Sequence, residues 1–183
     1  MESLEGHLLI ACPQLLDPNF VRTVVLLVQH GHDGAFGLVL NRPLNKTVSQ
    51  LWEQVQEPPC ACQQHINAGG PVSGPLMALH TFEDLSELQV VPGVFFSAEK
   101  THLEELVRRD GGQFKLFVGH SGWGGRQLES ELKQGAWRTM PAKAEYIFLD
   151  EEAMWPRISG EIGRSLLQDI LKLKDLPEDP TVN

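Results

Sequence analysis

Two dense apolar runs, Thr23–Gln29 and Ala35–Leu40, flank the turn-forming stretch His30-Gly31-His32-Asp33-Gly34, and this arrangement restricts the fold more than any other feature of the chain. The first run is rich in valine and leucine without alternation, as in a strand covered on both faces. The intervening His, Asp and Gly residues supply turn chemistry, so the two runs read as a hairpin. The return strand ends in Asn41-Arg42-Pro43. That ending delivers an amide and a guanidinium just before a proline of fixed φ, a place to hold something.

The remaining chain alternates strands and helices. Leu8–Cys12 reads as a short strand, and Pro13–Asn19, with its two prolines, as loop. Val48, Leu51, Trp52 and Val55 fall at i, i+3, i+4 and i+7, one helical stripe, with Thr47 as N-cap and Glu57-Pro58-Pro59 as the stop. Gly69-Gly70-Pro71 marks a sharp backbone feature within Ile66–Val72. Strands are predicted over Leu76–Phe82 and Val94–Ser97, then a helix over Ala98–Arg109 with Leu103, Leu106 and Val107 inward, ended by Gly111-Gly112. Phe114–Val118 reads as a buried strand that runs into a glycine-rich turn, Gly119–Arg126. A helix follows over Gln127–Gln134, with Leu128 and Leu132 on one face and Gly135 just past its end. Ala144–Leu149 fits strand or helix. Pro156 places the next helix start close to itself, because a proline inside a helix costs about 3 kcal/mol. Gly163 then breaks the run before a last amphipathic helix with Leu166, Leu167, Ile170 and Leu171. Hairpin strands mixed with helices predict an α+β fold, one domain over 1–176 with a frayed acidic tail over 177–183.

Composition narrows the function. The chain has 183 residues, 42% hydrophobic, which suits one domain with a real core and excludes a disordered chain. No segment approaches the roughly 18 apolar residues of a membrane span. Met1-Glu2-Ser3-Leu4-Glu5 carries acid where a signal peptide needs base, so a cytoplasmic protein is expected. Net charge is −9, and the longest basic run, Arg108-Arg109, is followed at once by Asp110. A nucleic-acid duplex repels such a surface. Three cysteines, Cys12, Cys60 and Cys62, read as reduced thiols.

Three blocks, Asp17-Pro18-Asn19-Phe20, Arg22-Thr23-Val24-Val25 and Asn41-Arg42-Pro43, recur with Gly69-Gly70-Pro71-Val72, Gly122-Trp123, Gly124, Gln127-Leu128-Glu129 and Trp137 in an ordered pattern. On these residues the chain resembles the YqgE/AlgH family from about Gly6 to Gly163. The resemblance implies a bifurcated mixed sheet rolled into a pseudo-barrel with flanking helices, in an intracellular, mostly bacterial protein. One branch of the family is named as a transcriptional regulator of alginate production, most members have no assigned activity, and no catalytic residues carry over. The chain departs from the family pattern at His120, where an aromatic such as tyrosine is expected, and at Pro156, within a segment expected to be plain helix.

Candidate sites come from four groups of residues. The turn Gly119–Arg126 can aim free N–H groups at an anion with Arg126 adding charge, or simply permit a tight crossing under Trp123. It matches no nucleotide fingerprint. Ser121 is not in a G-x-S-x-G elbow, since Trp123 takes the second glycine's place. Asn41, Arg42 and Glu129 can form a polar site for a carboxylate or phosphate, or satisfy one another as an Arg42–Glu129 pair and an Asn41 cap. Either way the Asn-Arg-Pro strand end is expected beside the glycine-rich turn, so that Asn41, Arg42, Ser121, Gly122, Trp123, Arg126, Gln127 and Glu129 form one ligand or partner site. Cys60-Ala61-Cys62 with His65, and His30 and His32 with Asp33, fall short of the four ligands zinc usually takes, so no metal and no cofactor is expected. Trp52 reads as core, whereas Trp123 reads as a partly exposed contact anchor. The resulting expectation is a cytoplasmic regulatory or protein-interaction module, more probable as a non-enzyme because no complete catalytic set is present. The alternative is a binder or weak enzyme for a small anionic ligand. Direct DNA binding comes third, against the −9 charge.

Overall fold

The computed structural model describes residues 3–54 and 60–171. Ten strands occur in this part: β1 (His7–Ala11), β2 (Val24–Gly31), β3 (Gly34–Val39), β4 (Pro43–Thr47), β5 (His65–Ala68), β6 (Val72–His80), β7 (Leu88–Val91), β8 (Val94–Ser97), β9 (Phe114–Gly124) and β10 (Trp137–Pro141). Five α-helices accompany them, α1 (Val48–Gln54), α2 (Lys100–Leu106), α3 (Gln127–Lys133), α4 (Ala144–Ile147) and α5 (Glu151–Leu171), with one 3-10 turn at Glu83–Leu85. The fold is the expected α+β, a curled half-barrel with flanking helices.

The sheet runs β10-β1-β2-β3-β9-β6-β8-β7, and β4–β5 joins it through a parallel pairing of β5 with β9. β9 is the hinge of the architecture. Phe114–Val118 pairs with β6, Phe117 and Val118 pair with β5, and Ser121–Gly124 pairs with β3. The sheet therefore forks along β9, and Gly119, at φ 72°, makes the bend between the two branches. This corrects the reading of Gly119–Arg126 as a strand-to-helix turn. The segment is strand through Gly124, and its glycines allow other backbone to approach rather than form a loop. At the crotch of the fork, Gly69 donates its N–H to Val118 O (2.9 Å) and accepts from Val39 N (2.8 Å).

Three apolar clusters fill the layers. One lies between the sheet and α4–α5, around Leu26, Leu38, Phe117, Met154 and Ile158. The second packs α1 and α2 through Trp52, Leu103 and Leu106. The third packs α3 against β1–β3 through Trp123, Leu128 and Trp137. This is why Thr23–Gln29 and Ala35–Leu40 read as continuous apolar runs: successive residues serve different clusters on the two faces.

The local signals for α1 and α3 work as expected. Thr47 Oγ1 accepts from Gln50 N (3.4 Å) while Gln50 Oε1 accepts from Thr47 N (3.0 Å), a capping box. Gly135, at φ 75°, ends α3 with Gly135 N on Leu132 O and Ala136 N on Glu131 O, both 3.0 Å. Val55, the predicted stop at Glu57-Pro58-Pro59 and the tail over 177–183 lie outside the described residues. Strand β4 carries too few apolar residues to be seen in sequence, and β7, though mostly apolar, is only four residues long. The ambiguous stretch at Ala144 is a short helix.

The C-terminal expectation needs correction. One helix spans Glu151–Leu171, with Pro156 inside it and Gly163 not interrupting it. Asp150 Oδ1 accepts from the N–H groups of Glu152 (3.1 Å) and Ala153 (3.2 Å), starting the helix a full turn before the proline. Met154 and Ile158, one turn apart and fully buried, hold the segment across the proline, and Trp155 Nε1 donates to Ala11 O at 2.9 Å. Leu166 and Leu167 are 37% and 49% exposed rather than packed inward.

Burial also sets a pH response. His80 is fully buried, its Nε2 beside Ser97 Oγ (3.1 Å) and its Nδ1 accepting from Phe82 N (3.3 Å). Burial pulls its pKa from 6.5 down to about 4, despite the Phe82 bond and nearby Asp84 and Glu87, with His102 adding to the depression. The folded state thus binds fewer protons than the unfolded chain between these values, so stability falls as pH drops from 6.5 towards 4. A loss of about 1.5 kcal/mol between pH 6.5 and pH 5 is expected. Urea titrations at both pH values check it, and a His80→Gln variant should flatten the difference.

Candidate functional site

The motif blocks Asp17–Val25 and Asn41-Arg42-Pro43 meet in space. Asp17 nucleates the loop, its carbonyl accepting from Phe20 N (2.9 Å) and Val21 N (2.8 Å). Arg22 then adopts φ 54°, a left-handed conformation uncommon outside glycine. Asn41, 7% exposed, locks this shape: its Oδ1 accepts from Val24 N and its Nδ2 donates to Arg22 O, both at 2.9 Å. Asn41 is therefore internally satisfied, by the backbone of Arg22 and Val24 rather than by a turn before Pro43. Arg42 Nη2 donates to Val21 O. Burial pulls its basicity below the ordinary guanidinium value, and among the described residues no carboxylate offsets this.

These residues open onto a groove against the first turns of α5. One arm, a cavity of about 430 Å³, is lined by Arg22, Arg42, Glu152, Trp155 and Pro156. The Arg22 guanidinium lies 5.6 Å from the centre of the Trp155 ring, a cation–π contact. The second arm, about 670 Å³, includes Asn45, His65, Gln113, Lys115 and Asp150. Both arms share Pro43, Glu151 and Glu152. Lys115, 8% exposed, reaches from β9 to the carbonyl of Leu149 (2.9 Å) and to Glu151 Oε1 (2.7 Å), tying the start of α5 to the sheet. Among the described residues Arg22 and Arg42 meet no carboxylate within ion-pair distance.

The other candidate residues lie elsewhere. Gly34 pairs with Gly124 and Gly37 with Ser121, so β9 runs beside β3 towards the hairpin turn, away from Asn41. Seven residues of extended chain separate Gly34 from Asn41, about 23 Å. The expectation that the Asn-Arg-Pro end adjoins the glycine-rich segment is thus corrected for Arg126, Gln127 and Glu129. The proposed Arg42–Glu129 pair is replaced by His30 Nε2 with Glu129 Oε1 at 3.0 Å. Since Leu4 N donates to His30 Nδ1 (3.0 Å), the imidazole proton sits on Nε2 and points at Glu129. Ser121 is fully buried and donates to Gly69 O (3.2 Å), and Gly122 pairs with Phe36.

Trp123 is not an exposed anchor. It is 5% exposed, 6.1 Å from both Phe20 and Trp137, and donates through Nε1 to Glu131 Oε2 at 3.0 Å. Arg126, exposed at φ 65°, precedes α3, whose seven residues are led by Gln127. Gln127 Oε1 accepts from Gly124 N (3.1 Å), occupying an N–H that the anion-cradle reading required to be free. Cys60 and Cys62 pack against the second cluster, and burial raises the Cys62 thiol pKa. Among the described residues, the side chains close enough to share one ion are Glu87, Glu99 and His102, not the cysteines.

The AlgH-like family profile matches residues 8–167. The chain belongs to the AlgH-like family. Among AlgH-like relatives, a UPF0301 protein of Chlorobaculum tepidum is 36% identical over 162 residues, covering 83% of each chain. One from Ruegeria pomeroyi is 38% identical over 153 residues, covering 79% of this chain and 83% of its own. The solution structure of AlgH from Pseudomonas aeruginosa superposes with a TM-score of 0.74 at 31% identity, over 97% of this chain and 96% of that one. A crystal structure from Corynebacterium diphtheriae, 22% identical and covering 78% of each chain at a TM-score of 0.63, shares the fold. No helix among the described residues of this AlgH-like chain is long and apolar enough to cross a membrane. Sequence reasoning missed Arg22, Lys115, Glu151, Glu152 and Trp155 as groove residues. Arg22 had a visible signal, its place in the Asp17–Val25 block, but the others are assembled by tertiary contact.

Proposed function

We propose that this AlgH-like protein is a cytoplasmic regulatory module that responds to a small anionic ligand, a carboxylate or phosphate, held by Arg22 and Arg42. The observation that supports this reading is the pair of guanidiniums opening onto one groove with no carboxylate partner among the described residues. Arg42, steadied by Val21 O, keeps further N–H donors for a bidentate anion. The groove is lined by binding groups: among the described residues neither arm presents a serine, threonine or cysteine, and Lys115 is committed to Leu149 O and Glu151. Ligand occupancy at α5, which reaches from the groove along the sheet, would then set affinity for a protein partner. The −9 charge favours such an indirect route to gene expression over direct DNA contact.

Differential scanning fluorimetry with orthophosphate, di- and tricarboxylates and nucleoside phosphates tests the reading. A ligand at 100 times its Kd stabilises by about 2.7 kcal/mol, and Arg42→Gln should erase that shift while the unliganded melting point changes little. An equal shift in wild type and Arg42→Gln would place the ligand elsewhere and overturn the reading.

A further inference from the structure

A separate cavity of about 280 Å³ lies between the second half of α5 and the end of β1, and it shares no lining residue with either arm of the groove. Its helical wall is Ser159, Ile162, Gly163 and Leu166. These stand at i, i+3, i+4 and i+7, one face of α5. The opposite wall includes Ile10 and Cys12, both buried. The slot stays open at Gly163, where an added Cβ would meet nothing within 4 Å.

The lining is apolar with a single charge. Arg138, which pairs with Ile10 across β10 and β1, is its one charged residue among those described. No carboxylate lines the slot, although the chain as a whole carries −9. Among the described residues Arg138 makes no ion pair and no side-chain hydrogen bond. Ser159 adds a second polar group on the same wall. Its Oγ is shielded from solvent and has no hydrogen-bond partner, which is unusual for a buried hydroxyl. Turning about χ1 towards a ligand would break no existing bond.

An apolar slot with a few polar groups to fix orientation suits a small amphipathic molecule. A guanidinium without a partner selects an anionic head, and a carboxylate matches its fork. Simple phosphate would satisfy Arg138 but leave the apolar walls uncovered. The wall gives the length. From Ser159 to Leu166 the helix rises about 10.5 Å. A staggered alkyl chain advances roughly 1.3 Å per carbon, so about eight carbons match this wall. Such a chain would also cover Leu166, which is 37% exposed.

The geometry points to a second site, for a free medium-chain alkanoate, with its tail between α5 and β1 and its carboxylate on Arg138. It is independent of the anion site at Arg22 and Arg42.

Titration calorimetry and thermal shift with butyrate, hexanoate, octanoate and octanol test it. Affinity is expected to rise about fourfold per added methylene up to octanoate. Octanoate should bind at least tenfold more tightly than octanol, and Arg138→Gln should remove that difference. Gly163→Leu fills the slot and should abolish octanoate binding. Its melting temperature should stay at or above that of wild type, because leucine is the better helix former. Arg42→Gln should leave octanoate binding unchanged. Affinity that does not grow with chain length, octanol binding as tightly as octanoate, or a Gly163→Leu protein that binds like wild type overturns the assignment. Loss of octanoate binding in Arg42→Gln would place the alkanoate in the groove and overturn it as well, while leaving the arginine site standing. No response to millimolar octanoate in either assay overturns the alkanoate site alone.

Discussion

Gly69→Ala is expected to abolish the cooperative fold. A Cβ at this position would lie 2.2 Å from Gly119 O and 3.0 Å from Leu38 Cδ2. The first is a backbone atom fixed in the bend of β9, so no side-chain rotation relieves the clash. Separation of the two segments would break Gly69 N to Val118 O, Val39 N to Gly69 O and the Ser121 hydroxyl bond to Gly69 O together. Those bonds join the two branches of the sheet. More than about 4 kcal/mol of destabilisation is expected, a large share of the ~5–15 kcal/mol that holds a domain folded. The measurement is a urea or thermal unfolding curve followed by circular dichroism. Gly31→Ala is the control, since its added methyl meets nothing within 4 Å and should shift stability by no more than about 0.5 kcal/mol. A Gly69→Ala protein that unfolds at the wild-type midpoint would mean that the fork is not the organising contact of the sheet.

Glu151→Gln is expected to cost about 3 kcal/mol, because it strands the ammonium of Lys115 where the side chain is only 9% exposed. The reverse change, Lys115→Met, should cost less, since Glu151 is 27% exposed and water can reach its carboxylate. Combining the two should recover most of the loss, because neither charge then remains buried alone. The double-mutant cycle in chemical denaturation reads this directly. A coupling below about 1 kcal/mol would rank the pair with ordinary surface salt bridges. It would also deny Lys115 its role in fixing the start of α5 against the groove.

The sequence carried local instructions faithfully and long-range ones poorly. Thr47 with Gln50, and Gly135, name helix ends because their partners are three or four residues away. The hairpin at His32-Asp33 is equally local. Pro156 misled because its cost is local, whereas what offsets it, the burial of Met154 and Ile158 and the bond from Trp155 to Ala11 O, comes from strands far away in the chain. Gly119–Gly124 misled for a related reason. Glycines usually mark a turn in sequence, but here they admit Gly69 and Val72 against a strand: a Cβ on Gly119 would lie 2.7 Å from Val72 O. Trp123 seemed exposed because nothing nearby in sequence covers it, while Phe20 and Trp137 cover it in space.

The amino-acid order by itself determined the α+β class, the central hairpin, the caps of α1 and α3, the acidic surface and the importance of Asn41 and Arg42, all written in periodicity, composition or neighbours a few residues apart. Only the tertiary structure decided that Arg42 joins Arg22, Trp155 and the start of α5 rather than Glu129. The direction of β9 along β3 settles that choice, and strand direction is fixed by pairing between residues some ninety positions apart, which no local pattern encodes.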